Sequence, residues 1–157
     1  MGANAPSKVF VPEIYTAKTL KLENTDIQIK GNNELTYLWI PQIKAVVGGI
    51  PVTSGSHLWM ADTPTKQDRE KVVTTLKDIK SLNPNIVVPA HTAINAPQNL
   101  AAVNFSLDYL SQYEQAVKAN KTSTTLIDAM KKKYPNLAGD SSLELGAKVV
   151  TGEMKWP

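Results

Sequence analysis

Apolar and polar positions alternate in short runs along the first third of the chain, then recur at helical spacing over the rest. Lys8 to Val11, Thr19 to Leu22, Asp26 to Lys30 and Thr36 to Ile40 alternate or run apolar over four or five residues. Turn formers such as Glu23-Asn24 and Gly31-Asn32-Asn33 separate them, which predicts a meander of short strands. Ala45-Val46-Val47 adds a run short enough for a buried strand, and Gly48-Gly49 closes it where the backbone turns sharply or approaches something closely. Thr53-Ser54-Gly55-Ser56 reads as a polar loop, leading into His57-Leu58-Trp59-Met60 and the loop Ala61-Asp62-Thr63-Pro64.

From Thr65 the period changes. Val72, Val73, Leu76, Ile79 and Leu82 share one face of a helix, Thr65 and Asp68 form a capping pair, and Asn83-Pro84 stops the helix. Ile86-Val87-Val88 predicts a buried strand that delivers His91 at its carboxyl end, where rigid sheets hold site residues in α/β folds. Three helices follow, at about 97–119, 123–134 and 141–154. The first carries Leu100, Val103, Leu107, Leu110, Tyr113 and Val117 on one stripe, and Asp140 or Ser141 is placed to cap the last. Strands, a βαβ-like crossover and then helices predict a single α/β domain, with one mixed, mainly antiparallel sheet covered by helices and a helical C-terminal tail. Its segments are strands at about 8–52, a crossover helix at about 65–82, a strand at 85–88 and a tail at about 97–156.

Composition narrows what such a domain does. At 157 residues and 42% hydrophobic content the chain supports one core and is far from the disordered regime. The net charge of +3 is carried almost wholly by lysine, with Arg69 the only arginine, which argues against a nucleic-acid interface. Lys131-Lys132-Lys133 falls in the last turn of a predicted helix, where cations complement the helix dipole. No run reaches the length of a membrane span, and Met1 to Lys8 has no apolar core of a signal peptide, so no membrane partner is expected and the compartment stays open.

With no cysteine and two histidines, thiolate chemistry is excluded and a multi-histidine metal site is out of reach of this chain alone. No nucleophile elbow, phosphate loop or dinucleotide fingerprint is present, so no catalytic residue is assigned. The candidates are His91 after the buried strand, and His57, Trp59, Asp62 and Gly49 as residues of a pocket. His57, beside Trp59 in an apolar patch, also fits a packing or hydrogen-bonding role. Trp39, Trp59 and Trp156 read as pocket-lining or packing residues.

Ala45-Val46-Val47-Gly48-Gly49, His57-Leu58-Trp59, the helix from Thr65, and Val87-Val88-Pro89-Ala90-His91 follow one another in an order and spacing that resembles the second half of the metallo-β-lactamase superfamily, the αββα hydrolases. Met130-Lys131-Lys132-Lys133-Tyr134-Pro135 and Gly152-Glu153-Met154-Lys155-Trp156 look like the tail of one metallo-hydrolase-like group within it, so the likeness runs from about Asp26 onward. It implies half of an αββα sandwich, and a metal site that is degenerate. His91 matches the histidine that closes the family's last motif and would be a remnant zinc ligand. Gly49 stands where the family has its metal-bridging aspartate, Gly31-Asn32-Asn33 lacks the expected loop histidine, and the His-Xaa-His-Xaa-Asp-His signature would lie upstream of Met1.

The resemblance therefore implies the C-terminal part of such a hydrolase, inactive by itself and without a cofactor of its own. Its bare sheet face would be covered by the missing N-terminal half or by self-association. Two alternatives stand beside this reading. One is metal-assisted hydrolysis of an ester, amide or thioester once an N-terminal half completes the site; the other is a non-catalytic binding module whose helical tail docks a partner.

Overall fold

The computed structural model describes residues 7–156. Seven strands and four helices follow one another: β1 (Thr19–Leu22), β2 (Thr25–Lys30), β3 (Tyr37–Ile40), β4 (Ala45–Val47), β5 (Thr53–Ser54), α1 (Lys66–Ser81), β6 (Ile86–Val88), β7 (His91–Thr92), α2 (Leu100–Ala119), α3 (Ser123–Lys133) and α4 (Asp140–Val150). The fold is mixed α/β. A five-stranded sheet runs in the order β1-β2-β3-β4-β6, and β5 and β7 form a separate two-stranded parallel sheet. The meander β1 to β4 is antiparallel throughout, while β6 joins β4 in parallel after the crossover through α1.

Register explains how the sheet packs. Gln28 pairs with Trp39, Trp39 with Val46 and Val46 with Val87, so these four side chains share one face. Trp39, Val46 and Val87 are buried there in a core completed by Leu76 and Ile79 of α1 and Val103 and Leu110 of α2. Each fully buried aliphatic side chain of this kind contributes about 1.5–3 kcal/mol. The opposite face carries Leu20 opposite Ile27, Ile29 opposite Leu38, and the rows Leu38-Val47-Val88 and Ile40-Ala45-Ile86. It is aliphatic, and among the described residues none of these strand side chains belongs to the helix-covered core or packs against it. Val87 is wholly buried, whereas its neighbours Ile86 and Val88 are 44% and 38% exposed.

The helices follow the sequence pattern closely. Thr65 caps α1, its hydroxyl accepting from the Asp68 N–H, and Val72, Leu76 and Ile79 of the predicted stripe are buried. In α2, Val103, Leu110 and Tyr113 of the predicted stripe are buried, but the buried face extends to Ala102, Ser106 and Tyr109, while Leu100, Leu107 and Val117 are half-buried. The extension has a cause: Ser106 Oγ accepts from the Thr53 N–H at 3.0 Å and lies 2.9 Å from the Thr53 carbonyl, tying α2 to β5.

Four expectations are corrected. Lys8 to Val11 is no strand: it finds no partner strand, and its apolar side chains are exposed. Thr53-Ser54 is a buried strand instead of a polar loop, because Ser106 and β7 satisfy its backbone. Ile86-Val87-Val88 is buried on one face only. Neither Asp140 nor Ser141 caps α4; the cap position is Gly139, with a left-handed backbone, and the helix ends at Val150, short of Met154.

Candidate functional site

His57 follows β5 and is held by both its backbone and its ring. Its N–H donates to the Ala138 carbonyl at 2.8 Å, and its Nδ1 lies 2.9 Å from the Tyr109 hydroxyl. The ring meets Tyr109 edge-on, with centroids 5.8 Å apart. Tyr109 in turn stacks between Tyr113 and Tyr134, and Tyr134 donates to Asp108 at 2.8 Å. Burial lowers the imidazole pKa below the ordinary histidine value; Asp140 opposes the shift and Lys131 adds to it. Burial likewise pushes the phenol of Tyr109 far up, so it stays protonated beside the imidazole. His57 is thus a neutral hydrogen-bonded member of the core beside an aromatic ladder.

Trp59 and Asp62 come together one helical turn's distance apart in sequence. Trp59 Nε1 donates to Asp62 Oδ2 at 2.8 Å, and Trp156, from the far end of the chain, donates to Asp62 Oδ1 at 2.6 Å. The two indoles meet edge to face at 5.5 Å. Each carboxylate oxygen therefore accepts one indole N–H, which fixes the carboxylate's orientation on an exposed loop. Trp39, the third tryptophan, is a core residue of β3.

Gly49 has φ of +89°, and a Cβ built there would lie 2.9 Å from Tyr37 Cβ and 3.2 Å from the Thr36 carbonyl oxygen. The position admits a glycine and resists any side chain, an aspartate included. His91 opens β7, paired with Thr53, and its side chain is exposed. Among the described residues, no three histidine, aspartate or glutamate side chains gather where they could hold a metal ion. With His57 bonded to Tyr109, Asp62 held by two indoles and Gly49 unable to carry a ligand, the residues present do not fit a zinc centre. No family model matches the chain, and no curated protein matches it either.

The structure brings Trp59 and Asp62 to one cavity and keeps His57 and His91 out of its lining. That cavity, about 380 Å³, is also lined by Glu34, Leu35, Ile50 and Pro51, to which the sequence pattern gives no role. Arg69 was equally hidden. It lies buried on α1, where its Nε pairs with Glu114 of α2 and its Nη1 donates to the Thr63 and Pro64 carbonyls at 2.8 and 2.9 Å. The pair fixes the loop that carries Asp62. One signal could have found it: Arg69 sits three residues before Val72, on the apolar stripe of α1, as the only arginine of a lysine-rich chain.

Proposed function

We propose that this chain is the C-terminal layer of a metallo-β-lactamase-like αββα hydrolase, and that it has no hydrolytic activity by itself. The observation that carries the reading is the sheet with one face under helices and the other face aliphatic and outside that core, with Leu20, Ile86 and Val88 exposed. An αββα sandwich needs such a layer: the helix side forms one core, and the open side forms a second core against another sheet. The meander, the crossover helix and the parallel strand that ends before His91 supply support of a second kind, since they occur in the order the resemblance implies.

His91 is the one matched ligand position. Its exposure on β7 leaves it free to meet groups from another segment, which favours, as the second reading, a hydrolase completed by an N-terminal half. Within this chain the donor set is too sparse for metal chemistry, so no step is assigned to it. Elemental analysis of the purified chain, together with a chromogenic ester assay, tests the proposal. Substoichiometric zinc and no turnover are expected, and His91→Ala should leave both unchanged. Stoichiometric zinc that His91→Ala abolishes, with turnover, would overturn the inactive reading in favour of the metal-assisted one.

A further inference from the structure

The cavity beside Trp59 lies on the helix-covered side of the molecule, away from the bare sheet face. Its volume of about 380 Å³ falls in the range that accepts a small organic molecule. The floor is apolar and built from distant parts of the chain: Met60 from the loop, Val72 from α1 and Leu110 from α2, all buried. One wall is Trp59, whose ring is fixed by its bond to Asp62 and by its edge contact with Trp156.

The charge at this cavity runs against that of the chain. The protein carries a net charge of +3, yet the charged residues lining the cavity are Glu34 and Asp62, with no lysine, arginine or histidine among its described lining residues. Two carboxylates and an indole above an apolar floor suit one class of occupant. A cation is attracted by the carboxylates and by the electron-rich face of the indole, and an apolar body displaces water from the floor. An anion is repelled by both carboxylates. A neutral apolar molecule desolvates them without compensation. A bare metal ion finds two carboxylate donors and no third, and gains nothing from the floor.

We propose that this cavity binds a small organic ammonium ion, with the charged group between Glu34, Asp62 and Trp59 and its apolar body against Met60, Val72 and Leu110. The inference is independent of the half-sandwich reading, because no residue of the bare face lines the cavity.

The test uses benzyltrimethylammonium as the probe, titrated into the full chain while the indole N–H signals are followed by ¹H–¹⁵N correlation spectra. Loss of a signal in Trp59→Phe identifies that of Trp59. A saturable shift of the Trp59 signal is expected, with 3-phenylpropanol and phenylacetate binding about tenfold more weakly or worse. Glu34→Gln should weaken the ammonium about threefold and Glu34→Lys more strongly, both at unchanged thermal midpoint because Glu34 is exposed. Equal binding of the neutral alcohol, a shift confined to the Trp39 signal, no shift with the cation, or indifference to both Glu34 variants would each overturn the proposal.

Discussion

The two faces of the five-stranded sheet differ in composition and in what covers them: one mixes aromatic, aliphatic and polar side chains, and the other is almost wholly aliphatic. On one, Trp39, Val46 and Val87 lie in line beneath α1 and α2. On the other, Leu38, Val47 and Val88 form an aliphatic row outside that core, with Leu38 and Val47 half-buried and Val88 exposed. Strand composition alone does not say which face is covered, because a sheet buried on both faces and a sheet buried on one can each read as a continuous apolar run. Coverage is decided in tertiary structure. It is on this aliphatic face that the proposal of a further layer rests.

Placing a charge on each face in turn gives the largest contrast. Val87→Asp puts an unpaired carboxylate into the helix-covered core and should cost about 4 kcal/mol or more, enough to unfold much of the population. Val88→Asp, one residue on, should change stability by less than about 1 kcal/mol and raise solubility. Urea unfolding of the two variants checks this, and equal losses would erase the distinction between the faces.

Next in size is Arg69→Ala, which leaves Glu114 unpaired and the Thr63 and Pro64 carbonyls without their donor. Because Glu114 keeps some solvent contact, a loss of about 2–3 kcal/mol is expected in the same measurement. It would show that the covered side is held by a buried ion pair as well as by its apolar core. Gly49→Asp restores the acid that the resemblance calls for. It should lower stability by about 2 kcal/mol, through left-handed backbone strain and the contact with Tyr37, without conferring stoichiometric zinc binding.

The smallest effect is a pH dependence. The folded-state pKa of His57 is lowered, so the unfolded chain binds the extra proton more readily. The stability that follows is fully present above the ordinary histidine pKa of about 6.5 and is lost progressively as pH falls below it. His57→Gln keeps a polar partner for Tyr109 and should flatten this dependence between neutral and mildly acidic pH, read as the difference between the two unfolding curves. An unchanged slope would assign the dependence to other groups.

Much of the architecture was legible because local chemistry and tertiary packing agree there. The Thr65 and Asp68 cap, the α1 stripe and the Gly48-Gly49 turn each appear in the sequence as they appear in the structure. Elements that depend on distant partners were not legible. Thr53-Ser54 is polar and two residues long, and becomes a buried strand only because Ser106 and His91-Thr92 meet its backbone. Lys8 to Val11 has a strand's pattern but no strand beside it. The cavity shows the same division: Trp59 and Asp62 are neighbours in sequence, while Trp156 reaches Asp62 from 94 residues away and Glu34 arrives from the turn before β3.

Sedimentation velocity of the chain across a wide concentration range tests the open face most directly. Concentration-dependent association is expected, and Val88→Asp should abolish it while leaving the fold intact. A single monomeric species at every concentration, unchanged by that substitution, would contradict the reading of the bare face as an interlayer surface.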